Sequence, residues 1–199
     1  MGERVALVVA GAFISTVAYA ATIRARLGLG PLFAVQEGLA RHTGLSLGRC
    51  VMVAGVALVG FALAVGTRPG PGTMALPFLM GAMLDAVLPH LAEINGLVFR
   101  FAAVVVGTWF MCCGGALVIR AALGASAIDG VMLGLTNKTG WNIRRVRLGM
   151  EATMLALGWI VGGSIGVGTV ITAMLVGPAL HFWLNLVDKK DAAEVHITV

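Results

Sequence analysis

Charge is scarce in this sequence. Only 12% of its 199 residues are Asp, Glu, Lys or Arg, about half the share in an average soluble domain, which excludes an ordinary water-soluble globule. Cysteine is scarce as well. Cys50, Cys112 and Cys113 lie in or at the edge of apolar stretches, so no disulfide framework is indicated. No Cys-x-x-Cys or His pair supports a metal site, and no phosphate loop, zinc-hydrolase motif or Ser-His-Asp array is present. The expectation is a protein without catalytic residues, metal or cofactor, and not an enzyme.

Apolar residues fill the chain instead. They make up 59% of it, the mean hydropathy is +0.96, and they fall in long runs, the pattern of a membrane-spanning chain. The 28 glycines suit helices that pack closely in lipid. The net charge of +5 could suggest a nucleic-acid partner, but the basic residues sit between apolar segments. Orientation in the bilayer explains them better.

Slid by 96 residues, the sequence matches itself without a gap. Ile23-Arg24-Ala25 lies over Ile119-Arg120-Ala121, and Leu27-Gly28 over Leu123-Gly124. Gly38-Leu39 meets Gly134-Leu135, Thr43-Gly44 meets Thr139-Gly140, and Gly72-Thr73 meets Gly168-Thr169. Gly, Arg and Thr do not hold a common register by chance. The expectation is two tandem homologous membrane repeats, 1–95 and 96–187, with a short cytoplasmic tail, 188–199. The register also reads residues 1–21 as a first spanning helix rather than a signal peptide, because the same stretch recurs inside the chain.

Each repeat holds four helical segments. The first, about 5–23 and 101–119, is long enough to span. The second is short. Gly30-Pro31 opens it in repeat one, Ser126 with Asp129 at capping-box spacing opens it in repeat two, and Thr43-Gly44 and Thr139-Gly140 close it. The third starts at the N-caps Ser46 and Asn142 and runs to Gly66 and Gly162. The fourth starts at the Gly-Thr pairs and ends near Leu88 and Leu186, with Pro77 and Pro178 expected to bend or break it. The fold class is therefore an all-α polytopic membrane protein, pseudo-twofold symmetric, with six full spans plus two short helices, or eight spans.

If the short segments do not cross, the repeats are inverted. The N-terminal side then holds Arg4, Arg68, Arg120, Lys138, Arg144, Arg145, Arg147, Lys189 and Lys190, against Arg24, Arg26, Arg41, Arg49 and Arg100 opposite. If they cross, the repeats are parallel and the split is ten to four. Either way the excess places both termini in the cytoplasm. Charge favours eight spans and helix length favours six, so parity stays open.

The motif Leu27-Gly28-Leu29-Gly30…Gly38-Leu39…Thr43-Gly44…Gly70-Pro71-Gly72-Thr73 resembles the YczE/YyaS/YitT group of bacterial integral membrane proteins. The second copy is closer to the YczE type, with Asp129-Gly130 through Gly134-Leu135, then Thr139-Gly140, Arg144-Arg145-Val146-Arg147, Glu151, and Gly166-Val167-Gly168-Thr169. The resemblance covers nearly the whole chain, without the soluble C-terminal domain of YitT-type members. It implies a multi-pass protein of the bacterial plasma (inner) membrane and supplies no mechanism. Repeat one departs from the pattern, with Phe33 where repeat two has Asp129 and Gly55 where it has Glu151.

Ionisable groups within apolar stretches nominate the site, because charge in lipid is costly. Glu151 and Arg147 share a helix face and can pair, either as an internal tether or as a cavity lining. Asp129 in the first turn of the short helix is either a cap or a substrate contact. Glu37 and Gln36 read as a polar face towards water or headgroups. Arg24 and Arg120 are equivalent and either snorkel or form a symmetric pair of anion ligands. Gly72-Thr73 and Gly168-Thr169 are tight helix starts whose free amides could hold an anion. Asp85 and His181, also equivalent, could meet across the axis or lie separately at the interface.

These features point to a small-solute transporter or permease with its site between the repeats. Asp129, Glu151, Arg147, Arg24 and Arg120 would be polar contacts, and Gly72, Thr73, Gly168 and Thr169 backbone ligands. The alternative is a non-transporting accessory or scaffold protein of a membrane-associated complex. The expected partners are the bilayer and a small molecule or ion; small residues along the helices permit a homodimer without specifying one.

Overall fold

The computed structural model describes residues 2–124 and 126–197, with side chains through Val187. The described residues form eight α-helices and no strand: α1 Gly2–Ala25, α2 Pro31–Thr43, α3 Leu47–Ala64, α4 Pro71–Val87, α5 Leu97–Arg120, α6 Ala127–Thr139, α7 Ile143–Ile160 and α8 Val167–Ile197. A 3₁₀ turn, Leu88–His90, extends α4.

The helix boundaries follow local chemistry. The Ser46 and Asn142 side chains accept from the Arg49 and Arg144 amides at 3.3 and 3.0 Å, capping α3 and α7. Gly44 and Gly140 close α2 and α6 at φ +68°, where their amides bond back to the Ala40 and Thr136 carbonyls. Ser126 occupies the N-cap of α6 but makes no side-chain cap bond, so the expected capping box is not formed.

The fourth helix is not broken in either half, and the second copy does not end near Leu186. Pro77 and Pro178 both lie inside unbroken helices. A proline removes one backbone bond, and packing against a neighbour tolerates that loss: Pro77 is seated directly on Gly55. α8 also passes Leu186 and stays helical to Ile197.

Among the described residues, five helices are long and apolar enough to cross a membrane: α1, α3, α4 with its 3₁₀ turn, α5, and α8 over Val167–Val187. α7 has the same 18 residues as α3 but carries Arg144, Arg145, Arg147 and Glu151. α2 and α6 have 13 residues each, roughly 20 Å of helix and too short for an ordinary span.

α1 and α5 pack along each other at the centre. Gly11 lies against Gly114, Gly107 lies against Ala18 and Thr22, and the Ser15 hydroxyl donates to the Met111 carbonyl at 3.2 Å. Rising residue number on one helix meets falling number on the other, so the two run antiparallel. α5 and α8 run parallel, with Thr108 beside Thr172 and Cys112 beside the Val176 carbonyl. Outside this pair, α4 packs on α1, α2 on α7, and α3 on α6. Two extended connections brace the ends. Gly168 donates to Leu27 at 2.7 Å and Leu29 to Ser164 at 2.9 Å on one side; Gly72 donates to Leu123 at 2.9 Å on the other. Gly28 there has φ +105° and abuts the Gly166 backbone, which no other residue could do without strain.

Candidate functional site

Two helix pairs that the sequence register sets side by side pack differently. α3 packs along α4, but α7 does not pack along α8 in the same way. The residues explain it. In the first half Gly48 lies against the Gly81 carbonyl and Gly55 against Pro77. At the positions 96 residues later stand Arg144 and Glu151, whose side chains forbid that approach.

A cavity of about 240 Å³ occupies the resulting gap. Its walls are the starts of both short helices, Pro31 and Phe33 from α2 and Ile128 from α6, with Arg147 and Glu151 from α7 and Thr172 from α8. Phe33 is held by stacking on Tyr19, with ring centroids 4.0 Å apart. Thr172 is buried and its hydroxyl lies 3.4 Å from that of Thr108.

Two of the polar contacts nominated from sequence, Arg147 and Glu151, line this cavity. The Arg147 Nε donates to Glu151 Oε1 at 3.0 Å, across one helical turn. Asp129 sits beside them on α6. Burial pushes its carboxyl up from the ordinary range, and the Arg147 charge draws it part of the way back. One acid and one base thus line a largely apolar cavity, and a second acid, Asp129, lies near enough to feel the Arg147 charge. Such an arrangement can bind a small charged solute by exchanging one ion pair for another.

The other nominated residues lie elsewhere. Arg24 donates to the Leu88 carbonyl at 2.6 Å and lines a polar cavity of about 420 Å³ with Arg26, Glu37, Arg41 and Ser164. Arg120 belongs to the opposite end of the antiparallel α1–α5 pair. Counting from the Ser15–Met111 contact, the two arginines are about 27 Å apart along the pair, so they form no common ligand set. The Gly72 and Gly168 amides already donate to carbonyls, and Thr73 and Thr169 are buried. These helix starts are packing joints, because the extended connections reach them first.

Further expectations change. Glu37 does not face only water: it accepts from the Ser164 amide at 2.7 Å and from Arg41 at 2.7 Å. Gln36 is buried. Asp85 and His181 do not meet. Asp85 accepts from the Gly48 amide and the Ser46 hydroxyl, while His181 pairs with Asn185.

Residues 2–185 match the model of a family described as a family of unknown function, DUF6198. The chain belongs to that family. It is 37% identical over 183 residues to the uncharacterized membrane protein YczE of Bacillus subtilis, covering 88% of this chain and 82% of the relative. An uncharacterized protein of Haemophilus influenzae is 28% identical, over 82% of this chain and 75% of its own length. The uncharacterized protein YyaS of B. subtilis is 27% identical over 90% and 91%. No solved structure matches the chain. Five apolar helices together with a membrane-protein relative of this extent make this DUF6198 chain a membrane protein.

Sequence reasoning missed two features. Thr108 and Thr172 sit as lone hydroxyls in apolar runs, and only their facing each other marks them. The Glu37–Arg41–Ser164 network joins residues more than 120 positions apart. The Glu37–Arg41 spacing of four was its only local signal.

Proposed function

We propose that this protein is a small-solute transporter or permease, with its binding site in the cavity between the two halves. The single observation that carries the reading is the convergence of both short-helix starts on a cavity bearing Arg147 and Glu151. Helices that start within the bundle and an ionisable group beside them are how many transporters build a central site. The cavity suits a small polar solute that carries charge. An acidic group on the solute would take Arg147, and a basic group would take Glu151 or Asp129.

The same reading treats the chain as two inverted repeats with six crossings. An antiparallel α1 and α5 and a parallel α5 and α8 both follow if α2 and α6 do not cross. With nine basic residues on the side of the N-terminus against five opposite, both termini lie in the cytoplasm. The relatives are bacterial, which supports a plasma-membrane location. No enzymatic step is assigned.

The test is thermal unfolding of the purified protein against a panel of ions and metabolites. Wild type is compared with Asp129→Asn and Glu151→Gln. A solute that binds the folded state raises the melting temperature. A rise in wild type that both variants lose supports the reading. Well-folded protein that responds to nothing sinks it.

One observation favours a second reading, an accessory protein for a membrane complex. The unzipped α7–α8 face exposes Leu148, Trp159, Val170 and Met174. A partner helix seated there would co-purify and would be lost on Leu148→Arg.

A further inference from the structure

We propose that the groove between α3, α6 and α7 is a binding site for one anionic phospholipid of the bilayer. Its phosphate would sit at Arg145, with one acyl chain lying along α7. The groove has a volume of about 340 Å³ and shares only Met154 with the lining of the α7–α8 cavity. Its walls are apolar: Leu58 and Phe61 from α3, Leu135 from α6, and Met150 and Met154 from α7. Arg145 and Trp141 stand at one end.

Three observations select a lipid of negative charge. First, the guanidinium of Arg145 pairs with no acid among the described residues, so its charge is available at the mouth of an apolar slot. Second, that mouth lies at the membrane boundary. It is where α6 ends at Thr139 and α7 starts at Ile143, with the exposed Trp141 between them, the usual place for an interfacial aromatic. From Arg145 to Met154 the helix rises about 13 Å, close to half of a hydrocarbon core of roughly 30 Å. The slot is as deep as one leaflet. Third, Gly149 lines the groove in mid-helix, and a Cβ there would have no atom of the protein within 4 Å. Glycine weakens a helix relative to alanine, and no packing within the chain requires it here. An occupant of the groove does. Gly60 and Gly177 share this freedom but do not line the groove.

Arg144 is adjacent and also faces outward. By the charge count, this side of the molecule is the cytoplasmic one, where anionic headgroups attract basic residues near the membrane surface.

The experiment is native mass spectrometry of the full-length protein, given equimolar phosphatidylglycerol and phosphatidylcholine. One basic contact is worth about 1 kcal/mol, so wild type should retain the anionic lipid about fivefold over the zwitterionic one. Arg145→Ala should bring that ratio to about one. Gly149→Leu should remove retention of both lipids while leaving the lipid-free melting temperature equal or higher. A Cβ at position 149 has no protein atom within 4 Å, and the melting temperature separates a loss of binding from a loss of fold. Equal retention of the two lipids by wild type would overturn the proposal, as would unchanged retention in either variant. A second protein copy in place of lipid adducts would overturn it too.

Discussion

Gly55 and Glu151 stand 96 positions apart and take opposite parts in the packing. Gly55 is pressed against Pro77, where α3 closes on α4. Glu151 lines an open cavity, held by Arg147 at 3.0 Å. A hydrogen in place of a side chain lets two helices touch, and a carboxylate keeps the corresponding pair apart.

Enlarging Gly55 should therefore unfold the first half rather than open a second cavity. In Gly55→Leu the new side chain overlaps the Pro77 ring. The expected cost is about 1–3 kcal/mol, read as a lower melting temperature in detergent. An unchanged melting temperature would show that α3 and α4 do not rely on this contact.

Breaking the Arg147–Glu151 pair should cost function and little stability. Both side chains are about half exposed, 50% and 42%, and exposed i,i+4 pairs contribute only ~0.3–0.5 kcal/mol. Glu151→Gln and Arg147→Gln should unfold nearly as wild type does while losing any solute-dependent rise in melting temperature. A large drop in stability would mark the pair as a structural tether instead.

Asp129 should give the protein a pH-dependent stability with a defined sign. Burial raises its folded pKa, and Arg147 lowers it by less. The folded state then holds the proton more tightly than the unfolded state. The contribution is fully present below the ordinary carboxylate range and is lost as pH rises through the folded value. Asp129→Asn should remove that slope, and Arg147→Gln should extend it to higher pH. A melting curve as steep in Asp129→Asn as in wild type would contradict this.

Single-cysteine labelling should place the two short-helix loops on opposite sides. With six crossings, position 45 faces away from the N-terminus and position 141 lies on its side. With eight, both lie on the side of the N-terminus. A background without Cys50, Cys112 and Cys113 is needed. Labelling of both positions from one side would reverse the inverted-repeat reading.

The membrane class, the helix order and most helix ends were legible in the sequence, because they depend on nearby residues. A run of apolar side chains must avoid water wherever it goes. Ser46, Asn142, Gly44 and Gly140 act on their own turn of backbone. The Arg147–Glu151 pair was readable for the same reason, since a spacing of four puts both on one face. Asp129 was nominated by its place in a first turn, but not as a neighbour of that pair.

What only the tertiary structure decided depends on residues far apart in the chain. Helix direction is one such property: α1 and α5 run antiparallel because Gly11 meets Gly114 while Gly107 meets Ala18, and hydropathy carries no record of direction. The fate of the Gly-Thr helix starts is another, since whether an amide is free depends on whether a distant carbonyl, here Leu27 or Leu123, arrives first. The separation of Arg24 from Arg120 is a third. Equivalent positions in sequence become opposite ends in space once the two helices cross antiparallel. The cavity itself exists because α7 cannot approach α8 as α3 approaches α4, and a gap between helices is a property of the pair, written in neither helix alone.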